Sequence, residues 1–395
     1  MSKVMAVNAG SSSLKFQLFE MPEEKVLVAG AIERIGMDDA IVTFKFNGEK
    51  KKSIQPIKDH GVAVDILLKG LVENGIVKSL NEIEGVGHRV VQGGAIFKKS
   101  EVVTEQVAKD VEDLAELAPL HNKANINGYK AFKKALPGVG HVVVFDTSFH
   151  QTMPPESYMY PVPYEYYEKF KVRRYGAHGT SHRFVSERAN ELLGRTDTKL
   201  ITCHIGNGAS LAAVKNGKCY NTSMGFTPLA GVMMGTRTGD IDPAVVPYLC
   251  RKLGVDAEEI IQIFNKKSGY LGVSGISSDA RDICDAMDQG NERAILTRKM
   301  HVQTVANYIG QYFVELGGCD AIIFTAGLGE NDPDFRRDVC DYISEALGVK
   351  IDYELNNVRG VERLISTPDS KIKVYIIPTN EELLIARDTV ELLGL

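Results

Sequence analysis

Two stretches of the chain concentrate groups able to hold anions. Residues 173–182, Arg173-Arg174-Tyr175-Gly176-Ala177-His178-Gly179-Thr180-Ser181-His182, set arginines and histidines among glycines more densely than packing alone suggests. Residues 235–242, Gly235-Thr236-Arg237-Thr238-Gly239-Asp240-Ile241-Asp242, place one cation between glycines and acids. Arg89 follows Gly87-His88 at the head of an apolar segment, and Asp146 follows the apolar run 141–145. A guanidinium fork matches carboxylate and phosphate oxygens, and an imidazole N–H can donate to a developing oxyanion. The plainer readings are a salt-bridged Arg89, a turn-forming Asp146, and a helix start at Pro119-Leu120-His121-Asn122.

Three small-residue turns add a second chemistry. Gly10-Ser11-Ser12-Ser13 offers amides and hydroxyls, with Lys15 close behind; Gly206-Asn207-Gly208 and Gly327-Leu328-Gly329-Glu330-Asn331 each follow an apolar strand-like run. Without Cβ atoms in the way, backbone N–H groups in such turns converge on phosphate. Any one of them alone reads as an ordinary tight turn, and three at strand ends point to a nucleotide. No GxxxxGK[ST] sequence occurs and no GxGxxG opens a helix, which disfavours P-loop and Rossmann sites. Serine hydrolysis is disfavoured as well, because no GxSxG elbow is present.

The elements that must carry these groups alternate in type. Strands are expected at 3–8, 13–19, 25–33 and 40–46, then a helix at 59–73, a strand near 86–91, helices near 102–117 and 122–135, and a strand at 141–145. Four prolines between 154 and 163 suit a boundary. Strands at 199–204, 210–215 and 218–222 then precede helices near 243–265, 279–289 and 292–316, a strand at 320–325, a helix at 333–347, a strand at 372–377 and a helix at 381–393. Asn8-Ala9-Gly10-Ser11 and His204-Ile205-Gly206-Asn207-Gly208 close corresponding strands about half the chain apart, so a duplicated α/β domain with a mixed sheet is expected.

The 395 residues exceed the roughly 250–300 at which one core stops growing, so two domains are expected. Apolar content of 44% and charged content of 25% exclude a disordered or fibrous chain. Forty-six Lys and Arg against 51 Asp and Glu give a net charge of −5, which argues against nucleic acid or an anionic membrane as the main partner. No apolar run nears the ~18 residues of a membrane span, and the six cysteines form no CxxC pair. Scattered reduced thiols and no signal pattern make the cytoplasm the expected location.

The strings NAGSSSLKF (8–16), GHRVV (87–91), PLHN (119–122), FDTSFHQTMP (145–154), RRYGAHGTSH (173–182), HIGNGASL (204–211), GDIDP (239–243), GLGEN (327–331) and PTNEEL (378–383) resemble the acetate kinase family across essentially the whole chain. The resemblance implies a duplicated ribonuclease-H-like fold of the actin-like ATPase kind, with a nucleotide cleft between domains. These would cover 1–150 and 151–383, with 384–395 returning to the first. It implies a homodimer and reversible, direct in-line transfer of phosphate from ATP to acetate, with magnesium or manganese. Carried over by position, Asn8 and Glu381 would serve the metal. Ser11, Ser13, Lys15, His204, Ile205, Gly206, Asn207, Gly208, Asp279, Ala280, Arg281, Gly327, Leu328, Gly329, Glu330 and Asn331 would serve ATP. Arg89, His121, Asp146, His178 and Arg237 would be catalytic, and Arg89, Val91, Leu120 and Pro228 would hold the acid. The chain departs from the family's strings at Ala177 (usually Phe), Gln92 (usually His) and Lys123 (usually Pro). The first leaves propionate open as acceptor. A propionate or other short-chain acid kinase and a non-catalytic ATP-binding switch of the actin or Hsc70 kind are the alternatives.

Overall fold

A computed structural model describes residues 1–118 and 121–395 in two compact units, Met1–Phe149 with Asn380–Leu395, and His150–Thr379. Each is organised on one sheet. The first contains β1 (Ser2–Ala9), β2 (Ser13–Met21), β3 (Lys25–Glu33), β4 (Ala40–Phe46), β5 (Glu49–Gln55), β6 (Ile83–Val90), β7 (Glu101–Val102) and β8 (Gly140–Phe145), in the order β5-β4-β3-β2-β1-β6-β8-β7. The second contains β9 (Lys199–Ile205), β10 (Ala209–Lys215), β11 (Lys218–Thr222), β12 (Ala321–Thr325), β13 (Arg363–Leu364) and β14 (Lys373–Ile376), in the order β11-β10-β9-β12-β14-β13.

The two sheets share one plan. In the first, β1, β2 and β3 are antiparallel neighbours, β1, β6 and β8 are parallel, and β7 closes antiparallel on β8. In the second, β9, β10 and β11 are antiparallel, β9, β12 and β14 are parallel, and β13 closes antiparallel on β14. The first adds only the β4–β5 hairpin. This is the duplicated ribonuclease-H-like α/β fold, and the match lies in strand order and direction as well as in element sequence.

Alternation along the strands decides which side chains reach each face. Met5, Val7 and Ala9 of β1 join Val86 of β6 in a core with Leu67 and Phe132, from the helices His60–Glu73 and Asn122–Ala135. The opposite face receives the C-terminal helix Glu381–Leu393, capped by Asn380, whose side chain accepts from Leu383 N–H. Glycines let that helix sit directly on the strands. A Cβ at Gly87 would lie 2.4 Å from Ile385 Cγ2 and Thr389 Oγ1, and one at Gly140 would lie 2.7 Å from Leu393 Cδ2. In the second unit Ile201, Cys203 and Ile205 of β9 pack with Val305, Ile309 and Tyr312 of the helix Glu292–Leu316. Thr202 and His204, on the other face of β9, bond to the helix Gly179–Leu193.

Several elements differ from the sequence expectation. Nothing in Glu49–Gln55 suggests a strand, because Lys50, Lys51 and Lys52 break apolar alternation; it pairs with β4 at the sheet edge, where charge discourages a further strand. The helix near 102–117 shortens to Glu105–Asp113, because β7 takes Glu101–Val102 and Thr104 caps the helix. The span 243–265 holds two helices, Val245–Leu253 and Ala257–Lys266, parted at left-handed Gly254. Gly179–Leu193 is a helix where only a polar cluster was expected, and Gly327–Asn331 lies in the helix Ala326–Asn331 rather than an open turn. The chain passes between units at Phe149/His150 and again at Thr379/Asn380, so Glu381 stands in the first unit. All six cysteines are free, and among the described residues no helix is long and apolar enough to cross a membrane.

Burial gives the fold a defined acid response. Desolvation pushes His141 down to about 4 and His301 to about 3, and holds His88 and His182 well below their usual value. The unfolded chain therefore binds protons at higher pH than the native one, so this stability is complete above the ordinary histidine range and is lost as pH falls. Glu381, pushed up to about 7 by burial, acts with the opposite sign but is one group against four. His141 alone accounts for about 3 kcal/mol. Urea midpoints are expected to fall between pH 6.5 and 4; midpoints that stay level or rise would contradict this.

Candidate active site

In the first unit the charged residues stand at the carboxyl ends of the parallel strands. Asn8, next to last in β1, lies opposite Lys15 of β2, so the two share the face that carries the C-terminal helix. Arg89 stands at the same end of β6 and grips Asp146, just past β8, with two bonds: Nε to Oδ1 at 2.9 Å and Nη2 to Oδ2 at 2.6 Å. Asp146 is fully buried, and its charge raises the Arg89 pKa, so the guanidinium stays protonated. Glu381 Oε2 lies 4.0 Å from Arg89 Nε. Burial raises the Glu381 carboxyl to about 7 although Arg89 pulls it down.

The neighbouring loops are fixed by backbone contacts. Gly10 N–H donates to Ser13 O at 2.8 Å, which closes the turn that exposes Ser11 and Ser12. Val91 N–H donates to Asn125 and Gln92 N–H to Asn122, each at 3.1 Å, while Asn125 also donates to Ala9 O. Asn125 thus ties the ends of β1 and β6 together and Asn122 anchors the chain just past β6, roles not anticipated; their spacing of three on one helix face was the available signal. His121 is exposed at the N-cap position of the helix Asn122–Ala135. Leu120 lies outside the described residues.

In the second unit His178 caps the helix Gly179–Leu193 with a left-handed backbone, φ 58°. Its ring stacks on His204, centroids 4.1 Å apart, and its Nδ1 lies 2.9 Å from Ser210 Oγ. Arg237 Nη1 donates to Pro228 O at 2.9 Å, so Pro228 contributes its carbonyl to positioning the arginine. No carboxylate among the described residues pairs with Arg237, and burial lowers its pKa. A Cβ on Gly208 would lie 3.4 Å from Arg237 Nη2 and 3.5 Å from His178 Nε2, so both groups flank that glycine. The other cations of 173–182 are structural: Arg173 stacks over Tyr158, and Arg174 donates to Thr222 O and Ser223 O. Packing explains more of that cluster than its composition suggested. Ala177 is also in the core, packed with Ile201 and Met224.

A cavity of about 850 Å3 in the second unit is lined by Gly206, Asn207, Asp279, Ala280, Arg281, Gly327, Leu328 and Asn331. Gly235, Tyr270, His301 and Arg359 line it as well and were not anticipated. A Cβ at Gly235 would lie 1.8 Å from Asn207 Oδ1, so any larger residue there would have to displace that side chain. Asp279 caps the helix Ala280–Asp288 and pairs with Arg281, which lowers its carboxyl to about 2. His204, Ile205, Gly208, Gly329 and Glu330 are not among the lining residues. Buried Arg336 instead holds Gly329 O, at 2.9 Å.

Glu330 is a clamp. Its Oε1 accepts from Ala326 N–H at 2.7 Å and Thr379 N–H at 3.0 Å, holding left-handed Ala326 (φ 64°) and joining the ends of β12 and β14. In Glu330→Ala both amides lose their acceptor, with an expected cost of about 1–3 kcal/mol in urea stability and weaker nucleotide binding. An unchanged urea midpoint would contradict the clamp.

Known proteins share this architecture. Residues 3–387 match the Acetokinase family. The chain is 58% identical over 394 residues to acetate kinase from Bacillus subtilis, covering 99% of this chain and 100% of the relative. The crystal structure of Porphyromonas gingivalis acetate kinase superposes with a TM-score of 0.96 at 47% identity, covering all of both chains. A propionate kinase from Francisella tularensis superposes at 0.94 with 38% identity, covering 99% of this chain and 100% of that one. With a full-length family match and relatives well beyond 30% identity, the chain belongs to the acetokinase family.

Proposed function

We propose that the chain transfers the terminal phosphoryl group of ATP reversibly to acetate, giving acetyl phosphate and ADP. The observation that carries this reading is Arg237, a half-buried guanidinium with no carboxylate of its own among the described residues, standing with His178 beside Gly208. A cation desolvated without a carboxylate partner favours an incoming anion more than an exposed or ion-paired one does.

The acceptor needs no general base, because acetate is ionised at neutral pH. Arg89 uses Nε and Nη2 on Asp146, and Nη1 has no partner among the described residues, which leaves it free to hold an acceptor oxygen. Asp146 accordingly orients Arg89 rather than removing a proton. Val91 just past β6 and Pro228 beside Arg237 suit the acid's methyl group, as does Leu120 by resemblance. His121 suits a supporting contact to the acid. Ser11, Ser13 and Lys15 suit phosphate contacts, and the cavity bounded by Asn207, Arg281 and Asn331 suits the nucleoside. His178 and Arg237 suit the charge that builds on the equatorial oxygens of the moving phosphoryl group. No side chain is given the role of a covalent carrier, and transfer is taken as a single in-line step.

A divalent cation fits the donors present. Asn8 and Glu381 offer hard oxygens, and no cluster of three His, Cys, Asp or Glu residues suited to a metal occurs among the described residues. That set suits magnesium, or manganese in its place, carried largely by water and phosphate oxygens. When bound it neutralises phosphate charge. Exposed Tyr164, Tyr166 and Phe170 on one short helix support a homodimer, and a cytoplasmic setting completes the reading.

A propionate-directed enzyme is the second reading, favoured by the propionate kinase among the structural relatives. Comparing kcat/KM for acetate and propionate separates the two. The primary test is hydroxylamine trapping with ATP, magnesium and acetate, which is expected to yield hydroxamate. ATP hydrolysis without hydroxamate would favour a switch protein. Arg237→Leu is expected to lower kcat by about 10²–10³; near-normal turnover would overturn the role given to Arg237.

A further inference from the structure

Behind His178 lies a buried hydrogen-bond chain that the transfer reaction does not by itself require. His178 Nδ1 lies 2.9 Å from Ser210 Oγ, and the same oxygen lies 2.8 Å from Nε2 of His182. His182 Nδ1 lies 2.7 Å from Thr202 Oγ1, and Thr202 Oγ1 donates to Ala212 O at 3.4 Å. Ser210, His182 and Thr202 are all fully buried, so water cannot take over any of these bonds. The strand register explains their alignment. Ser210 pairs with His204 and Ala212 with Thr202 across β9 and β10, which puts all four on the face covered by the helix Gly179–Leu193.

The proton order can be read from the closed end. A carbonyl only accepts, so the Thr202 hydroxyl gives its hydrogen to Ala212 O and accepts from His182 Nδ1–H. Burial keeps His182 neutral, leaving it one N–H. Its Nε2 is therefore an acceptor and takes the Ser210 hydroxyl hydrogen. Ser210 Oγ then accepts Nδ1–H of His178. The reverse order would leave the Thr202 and Ala212 oxygens facing each other with no hydrogen between them.

We propose that Ser210, His182 and Thr202 form a proton-ordered relay that fixes the hydrogen of His178 on Nδ1 and holds its Nε2 toward the anion beside Gly208 and Arg237. The three are positioning residues, and the assignment rests on the phosphoryl-transfer reading only for the identity of that anion. One consequence is chemical. With Nδ1 always protonated, Nε2 can donate to a phosphoryl oxygen only when the His178 ring is charged. A second is steric, since the relay and the His204 stack both oppose rotation of a ring attached to a left-handed backbone.

Thr202 separates the relay from packing, because it lies two links from His178. Thr202→Val keeps the shape and removes the hydroxyl, while Thr202→Ser keeps the hydroxyl and removes a methyl. Thr202→Val is expected to lower kcat about tenfold with KM for ATP and acetate within twofold of the original, and Thr202→Ser to stay close to it. Equal loss in both variants, or none in Thr202→Val, would overturn the relay. Should Thr202→Val fail to fold, imidazole 15N–1H correlation on the unsubstituted protein still decides. It is expected to show His182 with hydrogen on Nδ1 and a bare Nε2, and the opposite tautomer would overturn the order. An unsubstituted protein that forms no hydroxamate would refute the acetate reading alone, since the tautomer is measured without turnover.

Discussion

The bidentate pair between Arg89 and Asp146 is the constraint from which the first unit's site is built. A buried carboxylate would be costly alone, and an arginine at a strand end would otherwise sweep through solvent. Joined through two bonds of 2.9 and 2.6 Å, each fixes the other across the carboxyl ends of β6 and β8. Glu381 enters the same field, delivered by a helix that can dock only because Gly87 and Gly140 carry no Cβ. Arg237 in the second unit is the electrostatic opposite. It loses solvation without gaining a carboxylate, and under the proposed function that difference leaves its charge for an incoming anion, whereas Arg89 commits two of its nitrogens to Asp146.

Duplication explains why chemistry appears where it does in both units. In each sheet the central strands are parallel, and their carboxyl ends release loops with no neighbouring strand to satisfy them. Asn8 and Arg89 stand next to last in β1 and β6, and Asp146 follows β8. Gly206 to Gly208, the helix Ala326–Asn331 and Thr379 lie at the corresponding ends, after β9, β12 and β14. One plan serves two tasks because only the loops differ: the first unit keeps charged side chains there, and the second keeps glycines and a cavity.

Much of this was legible in the sequence because strand ends and glycines leave local marks. Alternation found β1 to β4 and the core strands β9, β10 and β12, and the strings at their ends carried the family. What stayed hidden depends on distant partners. Lys50 to Lys52 look like loop until β4 supplies a ladder. Glu330 looks like a phosphate-loop residue until its carboxylate meets an amide 49 positions away. Asn122 and Asn125 look like helix-start residues until they meet the backbone at Gln92, Val91 and Ala9. The histidines were seen as a cluster, yet only a buried carbonyl on β10 orders their hydrogens.

The central claim is that these residues position and neutralise the reacting groups, with none becoming covalently attached to the phosphoryl group. The most direct measurement is the stereochemical course of transfer from ATP made chiral with oxygen isotopes at its terminal phosphorus. A single in-line step between ATP and acetate is expected to invert that configuration. Retention would require two successive transfers through an enzyme side chain and would contradict it.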